Sequence, residues 1–212
     1  MKRTSLLFLL LLVTAVPSMA ANYGRASADF ENARPDKNES AWGRLVADAV
    51  RDAARADIAL VNAAALRKGT LAAGDVGDAQ INALLAFGSD DVVTITISGS
   101  QLRAALERAV QAYPTGSTAF LHGSGFTAAF NTQAPTNERL TLLRINGREV
   151  VDGDSLRAAM PMGLAQGGAG YFTIWNADKA TRSRTSLTAA VGAFIKARGT
   201  VSPDATPRLA PQ

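Results

Sequence analysis

From Val92 to Ile97 the chain alternates: Val93, Ile95 and Ile97 fall on one side, Thr94 and Thr96 on the other. A period of two fits a strand with one face buried and does not fit a helix. Directly afterwards the period changes. Leu102, Ala105, Leu106, Ala109 and Val110 recur at helical spacing behind Ser100 as the cap, and the pattern stops near Pro114. The same two periods return elsewhere. Trp42, Leu45, Val46, Ala49, Val50 and Ala53 make a helical stripe behind Asn38 as N-cap, and Asp57 to Val61 reads as a short buried strand. A turn at Gly74-Asp75 leads to a short helix around Gln80 to Leu85. Ala119 to Phe130 is mostly strand, interrupted by Gly123 and Gly125. Leu140 to Ile145 and Arg148 to Val151 flank Asn146-Gly147, the pair a type I′ hairpin turn demands. A strand from Ser155 to Met162 runs into a Gly-rich segment, and Leu187, Ala190, Val191, Phe194 and Ile195 form a last helical stripe. Helices and strands mix without strict alternation, so the expected class is α+β or mixed α/β rather than doubly wound.

The first residues follow a different logic. Met1-Lys2-Arg3, the apolar run Leu6 to Val13 and the exit Ser18-Met19-Ala20-Ala21 are the three parts of a secretory signal, with cleavage expected after Ala20 or Ala21. The run is shorter than the roughly 20 residues a bilayer crossing needs, and no later stretch is longer, so no membrane association is expected after cleavage. A periplasmic or secreted product follows. With no cysteine the chain offers neither a lipidation site nor a disulfide. The expected organisation is a signal over 1–20, a polar lead-in over 21–37, one domain over 38–198, and a Pro-rich disordered tail over 199–212. The formal charge of +4 would fall to +2 without Lys2 and Arg3, and the remaining basic residues are scattered. A nucleic-acid footprint needs them clustered, so no polymer partner is expected.

Metal chemistry can be weighed by counting donors. His122 is the only histidine. A dinuclear phosphoesterase site draws on several imidazoles and carboxylates converging on the ions. Asp90-Asp91 is the nearest acidic pair, but it opens a strand, where successive side chains diverge. No metal site and no cofactor are therefore expected. His122 precedes Gly123-Ser124-Gly125, which raises a Ser-His pair. Neighbours on a strand face apart and no third carboxylate is evident, so a buried histidine bonded to backbone is the favoured reading. Gly167-Gly168-Ala169-Gly170 lacks the Lys-Ser/Thr of a phosphate loop, and reads first as a tight turn needing positive φ.

Taken in order, these pieces resemble the C-terminal domain of the 5′-nucleotidase family over about residues 36 to 198. The resemblance rests on Glu39-Ser40-Ala41-Trp42-Gly43-Arg44-Leu45-Val46-Ala47-Asp48-Ala49, on Asp57 to Asn62 with Leu66-Arg67, and on Ala86-Phe87-Gly88. It continues through Ser98 to Leu102, Gly123-Ser124-Gly125-Phe126, and Leu164 to Tyr171. It implies a single domain with a mixed sheet and packed helices. In the family this domain binds the substrate and a separate N-terminal domain carries the metals and the hydrolysis.

Carried over by position, the resemblance makes Asn62, Arg67 and Phe87 the candidate substrate-binding residues, with Phe87 as one ring of an aromatic clamp on the base. Gly163 stands where the second ring belongs, Ala169 where the family has an aspartate, and Ala63-Ala64-Ala65 where it has small, glycine-rich residues. The expected function is an exported, non-catalytic module for a nucleotide or nucleoside ligand, linked to nucleotide catabolism. It could complete a separately encoded metallophosphoesterase. Two alternatives stand beside it: a partner or scaffold that kept the fold and lost the ligand, and a hydrolase in its own right, as a nucleotidase or one of the related thiosulfate-processing enzymes.

Overall fold

The computed structural model describes residues 22–212; the expected signal segment lies outside them. In chain order the strands and helices begin with β1 (Asn22–Ala26), β2 (Phe30–Asn32), α1 (Ala41–Ala54), β3 (Ile58–Asn62), β4 (Gly69–Leu71), β5 (Gly74–Gly77) and α2 (Asp78–Leu84). Next come β6 (Asp91–Ser98), α3 (Gly99–Val110), β7 (Leu121–Ser124), β8 (Thr127–Phe130), β9 (Leu140–Ile145) and β10 (Arg148–Glu149). The chain ends with β11 (Ser155–Pro161), α4 (Met162–Ala165), β12 (Thr181–Ser186), α5 (Leu187–Arg198), β13 (Thr200–Val201) and β14 (Leu209–Pro211).

A five-stranded sheet in the order β12-β6-β11-β3-β7 divides the molecule. Only β11 and β3 run parallel in it. Its two faces serve two cores, as strand alternation requires. Ile58 and Leu60 look one way, with Val93, Ile95, Ile97, Leu156 and Met160, onto α3 and the second sheet, β10-β9-β8-β14. Ala59, Val61 and Ala159 look the other way, onto Trp42, Val46 and Val50 of α1 and Leu187, Val191 and Ile195 of α5. The predicted alternation of Val92 to Ile97 is thus a central strand with a helix layer on one side and a helix-and-sheet layer on the other. The expected mixed α+β class holds. At the predicted hairpin tip Asn146 and Gly147 take φ of 51° and 79°, as a type I′ turn needs.

Two caps differ from expectation by two residues each. Ser40, not Asn38, caps α1 by accepting from Gly43 N, while Asn38 closes a turn on Arg34. Ser98, not Ser100, caps α3. Ser98 Oγ accepts from Gln101 N at 3.1 Å and Gln101 Oε1 accepts from Ser98 N at 2.8 Å. A capping box needs an acceptor three residues on, which Ser98 has in Gln101, whereas Ser100 meets Arg103, which cannot accept.

Both domain boundaries are wider than expected. Within the expected lead-in, β1 pairs with β5 and β13, and β2 pairs with β4. Residues 199–212, expected as a disordered tail, carry β13 and β14, and β14 runs parallel to β8 with Leu209 buried. The C-terminal segment is held by a charge network that a reading of local composition could not find. Glu39 accepts from Gly123 N at 3.0 Å, Leu209 N at 3.2 Å and Arg208 N. Arg208 in turn forks onto Asp48 at 2.7 and 2.9 Å and donates to the Gly123 carbonyl at 2.8 Å. The Arg44 guanidinium donates to the Asp204 carbonyl. Planar two-point contacts of this kind are among the stronger polar contacts available. Among the described residues no helix is long and apolar enough to cross a membrane.

Candidate functional site

β3 ends at Asn62, a one-turn 3-10 helix over Ala63–Ala65 follows, and Leu66 bridges to Leu85. This bridge brings the loop after α2, with Phe87, beside the end of the central sheet. The turn is drawn closer by Ala86 N donating to the Ala65 carbonyl at 2.9 Å. Opposite them β11 runs out at Pro161 into α4. Asp90 ties the two sides together, its Oδ2 accepting from Gly163 N at 2.8 Å. The result is a cleft of about 190 Å³ walled by Asn62, Ala64, Ala65, Phe87, Asp90, Pro161, Gly163, Leu164 and Gly168.

Two of the three candidate residues meet there. Asn62 is 5% exposed and its side chain makes no hydrogen bond among the described residues, although it lines the cleft. Phe87 is 58% exposed, a phenyl ring held out at the cleft wall rather than folded into either core. Arg67 is not brought to the cleft. Its backbone bonds to Leu84 and Asn32, and its exposed guanidinium reaches the Asn82 carbonyl at 3.4 Å. Gly163, where the resemblance leads one to expect a second ring, lines the wall of the cleft and offers no side chain.

The Gly-rich segment is a turn that Arg108 holds from below. Gly167, Ala169 and Gly170 all take positive φ, and Arg108 donates to the Ala169 carbonyl through both Nε and Nη2. A Cβ on Gly170 would stand 2.0 Å from that guanidinium. Tyr171 beyond it is core, its hydroxyl donating to the Ala119 carbonyl at 2.7 Å and its ring stacked on Trp175. Burial pushes the Tyr171 phenol far above its usual range, with Arg108 opposing. Ala169 carries its left-handed φ of 56° at a cost of roughly 1 kcal/mol, since it has a Cβ where glycine, asparagine or aspartate are at ease.

His122 is fully buried. Its Nε2 donates to the Pro35 carbonyl at 3.0 Å, which leaves Nδ1 to accept from Ser40 N at 3.4 Å. Burial first, then the nearby Arg44 charge, pushes its pKa down to about 4 despite the Pro35 bond. The ring is neutral and structural. The expectation that strand geometry would separate it from Ser124 needs correcting: two residues apart on β7, they share a face. They are kept from acting together by their bonds, because Ser124 Oγ donates to Asp48 at 2.6 Å. Among the described residues no three His, Asp or Glu side chains gather as a metal would need.

The family model for the 5′-nucleotidase, C-terminal domain matches residues 18–176. The chain belongs to the 5′-nucleotidase C-terminal domain family. Its fold is similar to that of a 5′-nucleotidase precursor from Thermus thermophilus, with a TM-score of 0.83 at 22% identity over 90% of this chain and 39% of that one. A Haemophilus influenzae NAD nucleotidase gives a TM-score of 0.76 at 20% identity, covering 91% of this chain and 38% of that one. A Thermus thermophilus sulfate thiohydrolase gives 0.68 at 16%, covering 90% and 35%. The chain therefore spans about two fifths of the length of the two nucleotidase structures. No curated protein sequence matches it.

Family membership gives the first sequence motif a physical meaning. Glu39 clasps β7 and the C-terminal strand, Ser40 caps α1, Gly43 makes room for the His122 ring, and Asp48 anchors Arg208. The motif is architectural. Asp90 is the residue of the cleft that sequence reasoning missed: the Asp90-Asp91 pair drew notice as acid, and nothing local marks one of them as a strut to Gly163.

Proposed function

We propose that the chain is an exported, non-catalytic module that holds a nucleotide-like ligand in the Asn62–Phe87 cleft, in the service of nucleotide catabolism. The observation that carries this reading is Phe87, a large ring left 58% exposed beside Asn62, a residue 5% exposed that lines the cleft and whose side-chain amide has no hydrogen-bond partner among the described residues. A base laid on the ring would gain about 1–3 kcal/mol from one stacked face. The Asn62 amide can both donate and accept, which suits a base edge or ribose hydroxyl. Ligand sites commonly run to about 300–1,000 Å³, so a cleft of about 190 Å³ suits one ring and leaves the rest of a nucleotide outside. Hydrolysis would then be the work of a metallophosphoesterase on a separate chain, since this sequence has one histidine, and that one is buried and bonded.

Titration of adenosine and AMP followed by amide NMR tests the reading. Expected are shifts at Phe87 and Gly163 that saturate, and weaker binding in Phe87→Ala. No saturable shift with either compound would favour the second reading, a scaffold that kept the fold without the ligand. That alternative has its own support in Arg67, whose side chain is directed to Asn82 instead of the cleft. Export is tested separately, by fractionating cells and sequencing the N-terminus of the product. A mature start at Ala21 or Asn22 in the periplasmic or secreted fraction is expected, and full-length protein confined to the cytoplasm would refute it.

A further inference from the structure

Two further clefts, of about 530 and 360 Å³, meet at Arg51 and share no lining residue with the Asn62–Phe87 cleft. The larger is lined by Arg51, Arg55 and Arg198 with Asp48 and Asp52; the smaller by Arg51, Arg144 and Arg208 with Asp204. Five arginines thus face three aspartates. The aspartates are already engaged, Asp48 and Asp204 by Arg208 and Asp52 by Arg198. Arg51, Arg55 and Arg144 have no carboxylate partner among the described residues.

A bland account exists for part of this cluster. Arg51, Arg55 and Arg198 sit at the C-terminal ends of α1 and α5, where the helix dipole favours positive charge. It does not account for Arg144, which comes from β9 in the other layer, nor for how Arg51 is seated. Arg51 Nε donates to the Asp57 carbonyl at 3.0 Å, which orients the fork and leaves its two terminal nitrogens free. Gly125, at φ +86°, makes the seat possible: a Cβ there would lie 2.3 Å from the Asp57 oxygen and 2.9 Å from Arg51 Nε. A planar fork held this way presents paired donors suited to phosphate or sulfate oxygens.

We propose that these joined clefts bind a small polyanion carrying two or more phosphate or sulfate groups, with Arg51 between the groups and Arg55 and Arg144 at either end. The uncompensated charge calls for more than one anionic group. The two clefts are shallow and open, and their volumes fall in the range of small-molecule sites.

Calorimetric titration of inorganic tripolyphosphate into the full chain at 0.15 M salt tests this, with inorganic sulfate as the single-anion arm. One saturable site for tripolyphosphate is expected, with sulfate binding far more weakly. Arg55→Ala and Arg144→Ala, both exposed and with no side-chain hydrogen bond among the described residues, should each weaken it about tenfold, the loss of one charge-assisted contact. Arg182→Ala, an exposed arginine paired elsewhere, and Phe87→Ala should leave it unchanged. Absence of saturable binding, or an equal loss in Arg182→Ala, would overturn the proposal by reducing the cluster to diffuse surface charge. Because Phe87→Ala reports on the other cleft, failure of this site and failure of the nucleotide-like site are read independently.

Discussion

The His122 ring lies against the backbone of Gly43, so close that a Cβ on Gly43 would stand 2.1 Å from Nδ1. α1 and β7 approach each other only because residue 43 has no side chain and residue 122 has a ring that reaches past it to Pro35. Gly43→Ala should therefore force the ring out or part the two elements. The expected loss is about 1–3 kcal/mol, the range for overfilling a packed interior, even though alanine is the better helix former. Urea unfolding with an unchanged slope and a lowered midpoint would show it; a midpoint equal to that of the natural chain would mean the ring has somewhere else to go.

The same histidine makes stability depend on pH. Burial holds its pKa at about 4 against 6.5 in an exposed chain. Between those values the unfolded chain takes up a proton that the folded chain refuses. The contribution of His122 is thus complete above about pH 6.5, declines as pH falls, and is gone below about 4, a span of about 3 kcal/mol. Glu39 works the other way, since burial raises its pKa, outweighing the backbone N–H groups of Arg208, Gly123 and Leu209. Its share is greatest at low pH and is lost as pH rises. His122→Asn should cost stability at pH 7.5 and much less at pH 4.5, so the gap between the two unfolding curves narrows as pH falls. A gap that is constant with pH would show that the ring takes up its proton equally well in the folded and unfolded chain.

What could be read from the sequence follows the range of the interactions. Val92 to Ile97 and the α1, α3 and α5 stripes were legible because a strand or helix writes its own period into neighbouring residues. Phe87 and Asn62 were legible through motif order. Their meeting in one cleft depends on the Leu66 to Leu85 bridge, which no local pattern announces. Arg67 misled because a backbone motif fixes where a residue sits and leaves a long side chain several rotamers. The C-terminal segment was missed for the opposite reason. Its local composition is Pro-rich and polar, while what orders it is Glu39 and Asp48, some 160 residues away in sequence.

That segment gives a third expectation. Arg208→Ala would leave Asp48 with Ser124 as its only side-chain partner among the described residues and loosen the strand whose amides Glu39 holds. A loss of about 1–3 kcal/mol is expected, the value of hydrogen bonds to charged groups, along with faster proteolysis after Gly199. Raising the salt to 1 M should change the natural chain little, because Arg208 is only 16% exposed and partly buried pairs are poorly screened. Unchanged cleavage in the variant would show β14 to be held by its ladder with β8 alone.

Gly163 offers the sharpest test of the cleft, because it asks for a gain. Its φ is not in the left-handed region, so a side chain is allowed, and the nearest atom to a new Cβ is Asp90 Oδ2 at 3.3 Å. The residue is exposed, but Asp90 Oδ2 must give by a few tenths of an ångström, so Gly163→Phe should cost about 1 kcal/mol or less. If Phe87 is a stacking surface, a second ring across the cleft adds a second stacked face, and adenosine affinity should rise about tenfold, in line with roughly 1–3 kcal/mol per stacked base. The gain should vanish in the Gly163→Phe, Phe87→Ala double variant, since a clamp needs both rings. An equal gain with and without Phe87 would mean that the new ring binds by itself, and no gain in a stably folded variant would remove the cleft as a base site.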